Sequence, residues 1–305
     1  MIFNNPFATE GDWYKGNVHL HSCNSDGILT PEATANNYQK AGYDFIVLTD
    51  HFKKTDSAGL SNNRFLVISG EETNPVGCSA LGCDFEFLAL GIRTEITFPS
   101  IKNPTIQPQV AIDRIKQAGG VSVLAHPCFS CLTPEEIFPL QGLLGIEIFN
   151  PVFGLGGRSY SVAHWDILLS MGCRLYGFAG DDSHGEFMPN PGFIMVKAEQ
   201  LTESAIMNSI KKGLYYASNG PLLYDITVND TYVSAKTSPV KFINFVGDAS
   251  FMRGSFCAEG KNGFIDNATY NLKKHASLSV KEKYLRIECT DSIGQNAWSN
   301  PMFFS

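Results

Sequence analysis

The sequence predicts an α/β fold in which parallel strands alternate with helices over residues 1–221, followed by a small β-sandwich-like unit over residues 222–305. Three observations predict it. Strand-like and helix-like patterns alternate for some 200 residues, the signature of a parallel sheet. Five short apolar runs each lead into His, Asp or Glu. Near Gly220-Pro221 the pattern then changes to short alternating runs separated by Asn, Asp and Gly turns.

The elements follow in order. Residues 1–15 read as a surface arm anchored by Phe3, Phe7, Trp13 and Tyr14. A first strand is expected at 16–21, where Val18 and Leu20 alternate with His19 and His21. In an extended chain, side chains two apart share a face, so both imidazoles project together. Asp26 follows on a Ser/Asn/Gly turn. Thr30-Pro31-Glu32 opens a helix, with Thr30 as N-cap and Pro31 in the first turn; it stops near Gly42. Phe45–Thr49 is a strand running into Asp50-His51. Residues 53–63 form a loop over the site, and Phe65–Ser69 is a strand running into Gly70-Glu71-Glu72.

A strand is expected over Asp84–Gly91, and residues 93–108 form a connection. A helix from Val110 to Ala118 leads to a strand ending at Ala125-His126-Pro127. Pro134 starts a short helix. Gly145–Asn150 is a buried strand carrying Glu147 and Asn150. The Gly154–Arg158 loop lacks the G-x-x-x-x-G-K-[ST] pattern and is not a nucleotide P-loop. Ser159–Met171 is a helix closed by Gly172. Leu175–Ala179 is a strand running into Gly180-Asp181-Asp182-Ser183-His184, and residues 202–212 are the last helix. In the β-rich unit, Lys241–Val246 and Tyr284–Cys289 are strands.

A formal charge of −7 gives no extended basic surface for nucleic acid. No run approaches the ~20 apolar residues of a membrane span, and the start lacks the pattern of a secretory signal. The eight cysteines, including Cys128-x-x-Cys131 and the nearby Cys78 and Cys83, are read as reduced thiols of a cytoplasmic protein. A structural zinc site or a redox pair is the alternative for the C-x-x-C. His164 reads as packing within its helix and His275 as solvated.

Imidazoles and carboxylates gathered at strand ends suit divalent transition metals. Parallel α/β barrels assemble their active sites at the C-terminal ends of their strands. With His19-Leu20-His21 and Asp26, Thr49-Asp50-His51, Gly70-Glu71-Glu72, His126-Pro127 and Asp182-Ser183-His184 in this order, the chain resembles the PHP (polymerase and histidinol phosphatase) superfamily of metal-dependent phosphoesterases. The resemblance covers residues ~16–185 and implies a distorted (β/α)7 barrel.

It further implies that His19 and His21 hold one metal with Asp182, that Asp26 and His51 hold a second, and that Glu72 bridges them. His126 and His184 serve a third metal or contact phosphate. Two or three divalent ions, Zn, Mn or Fe, are expected. The expected reaction is hydrolysis of a phosphate mono- or diester by metal-bridged hydroxide, on a phosphorylated small molecule or nucleotide, with His126, His184 and Asp182 at the reacting bond. Many members carry a further histidine on the strand after the bridging glutamate. Here Glu86 falls nearest that position and is a candidate ligand, or else reaches water at a frayed strand start. Glu71 points away from Glu72 in an extended strand and reads as structural. Asp50 and Asp181 read as groups that orient imidazoles. Arg158 is a candidate partner for a terminal phosphate, and Asn150 for substrate.

Two other readings stand beside this one. One is a metallohydrolase of a non-phosphate bond, since related barrels hydrolyse amides with similar metals. The other is a non-catalytic metal-binding protein whose β-domain recognises a partner. Oligomeric state is left open.

Overall fold

The computed structural model describes residues 1–74, 79–98, 108–185, 192–248, 256–259, 263–272 and 283–304. Cys78 and His275 lie outside the described residues. The chain opens with β1 (Asp12–Asn17), α1 (Pro31–Lys40), β2 (Phe45–Leu48), β3 (Leu66–Thr73) and β4 (Phe87–Leu90). Next come α2 (Pro108–Gln117), β5 (Val121–Leu124), α3 (Pro134–Ile137), β6 (Leu143–Phe149), α4 (Val162–Met171) and β7 (Tyr176–Ala179). Then follow β8 (Phe193–Ala198), α5 (Glu203–Lys212) and β9 (Tyr215–Ser218).

Local chemistry explains the helix ends. Thr30 caps α1, its hydroxyl accepting from the Ala33 N–H, with Pro31 at the first position. Gly172 and Gly213 close α4 and α5 in the left-handed conformation that glycine adopts at least cost.

Strands β1 to β7 are neighbours in sequence order within one large mixed sheet. The β1–β2, β2–β3, β5–β6 and β6–β7 pairs are parallel. The two ends of this run meet, because Leu20 forms a parallel bridge with Ser183. The Asp182 N–H donates to the His19 carbonyl at 2.7 Å, and the His21 N–H to that of Ser183 at 2.9 Å. The interior is apolar, with Val18, Phe45, Ile68, Leu88, Val123, Ile146 and Phe178 all fully buried.

The structure departs from the sequence reading at strand β4 and at the first strand. Strand β4 runs antiparallel to both β3 and β5. A parallel neighbour requires a crossover of a dozen or more residues, usually helical, and no helix separates β3 from β4 among the described residues. The first strand begins at Asp12 rather than Gly16, because residues 12–16 pair with β8, a strand the sequence reading missed. His19 and His21 consequently lie just past β1, still extended through the Leu20 bridge.

Past residue 221 come β10 (Leu223–Val228), β11 (Tyr232–Val240), β12 (Phe242–Gly247), β13 (Phe256–Glu259), β14 (Ile265–Asn271), β15 (Tyr284–Thr290), β16 (Asn296–Ser299) and β17 (Met302–Phe303). Strand β16 pairs with β9, so β12, β13, β15 and β16 continue the large sheet, while β10, β11 and β14 form a separate three-stranded one. A second apolar cluster is shared by the two sheets, with Ile226, Val233 and Tyr270 on one and Phe245 and Ile287 on the other. Arg286 of β15, almost wholly buried, pairs through Nε and Nη2 with both carboxylate oxygens of Asp166 on α4, at 2.7 and 2.8 Å. Its Nη1 reaches Glu288 at 2.8 Å.

Among the described residues no helix is long and apolar enough to cross a membrane. The thiols of Cys23, Cys83, Cys128, Cys131, Cys173 and Cys289 are in no disulfide.

Candidate metal centre

Five segments deliver ligand-type side chains to one end of strands β1 to β7. His19 and His21 leave β1, His51 follows β2, and Glu72 lies near the end of β3. His126 follows β5 and Asp182 follows β7. His126 and Asp182 have positive backbone φ, 24° and 51°. Such strained non-glycine conformations concentrate at functional sites, where surrounding bonds enforce them. Here the Glu147 carboxylate accepts the His126 N–H at 3.1 Å, and the His19 carbonyl accepts that of Asp182.

The side chains form overlapping groups. His19, His21, Glu72 and Asp182 make the first, and all four are buried. His19 Nε2 is 3.1 Å from Glu72 Oε2 and 3.3 Å from Asp182 Oδ1. His21 Nε2 is 3.2 Å and 3.1 Å from the same two atoms. The second group is His21, Asp26, His51 and His184, with His184 Nε2 3.2 Å from Asp26 Oδ2. The third is Glu72, Glu86 and His126, in which His126 Nε2 is 3.4 Å from Glu72 Oε1 and 3.4 Å from Glu86 Oε2. Glu72 thus spans the first and third groups through its two oxygens. His126 and His184 fall in different groups.

The electrostatics match this crowding. Burial pushes the His21 and His126 imidazoles down, yet the hydrogen bonds of His21 to Asp182 and of His126 to Glu72 outweigh it and raise each to about 9. Burial would raise Asp182, but the charge of His19 leads the opposing effects and holds it at about 2. Glu86 is pushed up to about 7, mainly by burial and against the pull of His126. In this arrangement protons hold together a cluster of carboxylates and imidazoles that a cation would hold equally well.

No family model matches the sequence, and no curated protein matches it. Among solved structures, a two-domain protein from Bacteroides vulgatus containing a predicted PHP-like metal-dependent phosphoesterase superposes over 96% of this chain and 95% of its own, with TM-score 0.50 and 15% identity. The chain has a PHP-like fold. An amidohydrolase from Chromobacterium violaceum matches over 56% of this chain and 87% of its own, with TM-score 0.43 and 17% identity. PsfC from Pseudomonas syringae matches over 64% and 88%, with TM-score 0.42 and 12% identity.

The residues of this site fit divalent cations. Imidazole nitrogens and carboxylate oxygens converge within 4.8 Å in each group, and the buried His21 Nδ1 has no hydrogen-bond partner. Neighbouring groups hold the ligands in place. Glu147 Oε1 lies 3.0 Å from His19 Nδ1, so that nitrogen carries the proton and Nε2 faces the centre. Ser130 Oγ is 3.2 Å from His126 Nδ1.

Asn150 donates to Glu147 Oε2 at 3.0 Å and to Asp182 Oδ2 at 3.1 Å. It is buried and braces two carboxylates. Asp50 does not orient an imidazole: it accepts from the Ser22 N–H at 2.6 Å and from the Ser22, Ser25 and Thr55 hydroxyls, fixing the turn that delivers Asp26. Asp181 accepts from the Tyr38 hydroxyl at 2.7 Å, likewise away from the imidazoles. Glu71 turns away from the centre and accepts the Ile96 N–H at 3.0 Å. Arg158 is exposed and donates to the Phe129 carbonyl at 3.2 Å, on the loop after His126. His164 Nε2 donates to the Leu132 carbonyl at 2.9 Å.

Sequence reasoning left the role of Glu147 open. Its signal was a carboxylate in the otherwise apolar run Ile146-Glu147-Ile148. The close approach of Gly180 to the site was missed. A Cβ there would lie 2.6 Å from Glu147 Oε1 and 2.6 Å from the His19 Cβ. Gly180→Ala should therefore displace the Glu147–His19 pair and weaken metal binding by roughly 10–100-fold, read as a shift in a chelator-competition titration. Unchanged affinity would mean that the pair tolerates the displacement.

Proposed function

We propose that this chain is a metal-dependent hydrolase that cleaves a phosphate mono- or diester, a phosphorylated small molecule or nucleotide being its substrate. The observation that carries the reading is the sharing of Glu72 between two His/carboxylate groups at the strand ends, with a third group beside them. Its fold is taken as a distorted (β/α)7 barrel of β1 to β7 over residues 1–221, with a β-sandwich-like domain over 222–305. Its free thiols favour the cytoplasm.

The proposed ligands are His19, His21, Asp182 and Glu72 for one ion, Asp26, His51 and His184 for a second, and His126 with Glu72 and Glu86 for a third. Bound divalent ions supply Lewis acidity that acidifies water and neutralises phosphoryl charge. The chain's own groups do the rest. Glu147 and Asn150 hold His19 and Asp182 in register, so the ligands do not reorganise as charge develops. The His184 side chain is 35% exposed and stands at the open side, its Nδ1 donating to the Asp182 carbonyl at 2.8 Å so that Nε2 is left for the second ion. Arg158 stands on a loop beside the one after His126, within reach of a terminal phosphate held there.

The test is hydrolysis of p-nitrophenyl phosphate and its bis-ester before and after chelation. Chelation should lower the rate by about 100-fold or more, and Mn²⁺, Zn²⁺ or Fe²⁺ should restore it. Full activity in exhaustively chelated protein would refute the reading.

A further inference from the structure

Three of the four groups differ in donor chemistry in a graded way; the fourth, His19, His126 and Glu147, links two of them through its histidines. At one side, Glu72, Glu86 and His126 offer two carboxylates and one imidazole. The middle group, His19, His21, Glu72 and Asp182, offers two of each. At the other side, His21, Asp26, His51 and His184 offer three imidazoles and one carboxylate. Oxygen donors give way to nitrogen donors across the centre.

The gradient is built by the fold. Glu72 of β3 pairs with Leu88 of β4, so their side chains share a face, and Glu86, two residues before Leu88, projects to that same face. The Ala125 N–H donates to the Glu86 carbonyl at 2.9 Å, tying this residue to the strand end that bears His126. Glu86 thereby brings a second carboxylate to within 3.4 Å of His126 Nε2. At the opposite side His51 and His184 surround Asp26, and the carboxylates of Glu72 and Asp182 come only to the Nδ1 atoms of these two rings, at 3.5 and 3.7 Å. The ring of His21 stacks on those of both, with centroids 4.5 and 4.2 Å away.

Carboxylate-rich sites suit hard ions such as Mn²⁺, and imidazole-rich sites suit Zn²⁺. Zn²⁺ binds more tightly than Mn²⁺ to any one N/O site, so the discrimination is one of degree and emerges where Zn²⁺ is limiting. We infer that the centre is heterometallic, with Mn²⁺ held at the Glu72/Glu86/His126 position and Zn²⁺ at the Asp26/His51/His184 position. The inference rests on the metal-centre reading above, and it assigns the two ends of that centre different ions. Glu86 is the residue that decides the difference.

The experiment loads chelated full-length protein with limiting Zn²⁺ and excess Mn²⁺. It removes unbound ions, counts both elements by mass spectrometry, and records the Mn²⁺ electron paramagnetic resonance signal. Wild type should retain about one Mn²⁺ per chain together with Zn²⁺. Glu86→His should lose Mn²⁺ by roughly fivefold or more, with Zn²⁺ taking its place. Asp26→His, at the other end, should keep the Mn²⁺. Glu86→Gln serves where Glu86→His fails to fold, and should lose Mn²⁺ while keeping Zn²⁺.

Wild type that retains Zn²⁺ alone, or Mn²⁺ alone, overturns the inference. Equal Mn²⁺ in wild type and in a folded Glu86 variant, or loss of Mn²⁺ in Asp26→His, overturns its placement at Glu86. Retention of neither element would instead bring down the metal-centre reading itself, so the two failures are distinguishable.

Discussion

Glu72→Gln should lower phosphoesterase activity by about 1000-fold and strip bound metal, whereas its neighbour Glu71→Gln should do neither. Glu72 is the carboxylate whose two oxygens face two different groups, Oε2 toward His19 and His21 and Oε1 toward His126. Replacing one charged oxygen with an amide NH₂ removes a ligand from one group and points a donor at atoms that must accept a cation. Metal content by mass spectrometry and kcat on p-nitrophenyl phosphate read the effect. Equal losses in the two variants would assign the bridging role to the wrong carboxylate.

Glu71→Gln should act on stability instead, and with a definite dependence on pH. Burial raises the Glu71 carboxyl to about 7 in the folded chain, above its ordinary value of 4.5. A carboxyl raised in this way binds its proton more tightly folded than unfolded. Native stability therefore falls as pH climbs from the unfolded value through about 7. Glutamine still offers an oxygen to the Ile96 N–H and removes the charge. The variant should match wild type near pH 4 and exceed it above pH 7. Urea unfolding of both proteins at pH 5 and pH 8 checks the sign, and a deficit at pH 8 would contradict it.

Arg286→Ala should destabilise the chain by about 3–5 kcal/mol, the largest effect expected away from the candidate centre. The Arg286 side chain is 2% exposed, while those of Asp166 and Glu288 are 18% and 22% exposed. Two charge-assisted bonds join strand β15 to helix α4, a third runs within β15 to Glu288, and Tyr284 adds a hydroxyl contact to Asp166 at 3.0 Å. Removing the guanidinium leaves two partly buried carboxylates without their shared cation. Arg286→Lys keeps the charge but loses the two-pronged geometry and should recover only part of the loss. Arg286→Met fills the volume and separates the packing share from the ionic one. Equilibrium denaturation monitored by tryptophan fluorescence measures all three, since Trp165 lies under the guanidinium at 5.1 Å. A change below about 1 kcal/mol, typical of an exposed pair, would mean that water already reaches this network.

The sequence by itself determined which ligand-type residues share one face of a strand. Period-two alternation settles facing within one strand, so His19 with His21, and Glu72 against Glu71, were legible from local pattern alone. Apolar runs ending in polar ligand-type residues also showed which end of the strands they occupy. Grouping was a different matter, because it depends on contacts between segments far apart in the chain. That His184 stands with Asp26, and His126 with Glu72 and Glu86, follows from strand order and from the meeting of Leu20 with Ser183.

Glu86 shows the physical reason most plainly. It precedes its strand, where the rule of C-terminal strand ends would not look for a ligand. Strand β4 is antiparallel to its neighbours, so its start lies where their ends lie. The direction of a strand is set by its partners and its connection rather than by its own residues. The roles of Glu147, Asn150 and Asp50 were decided in the same way, by which buried donors and acceptors the assembled chain left within hydrogen-bonding distance of one another.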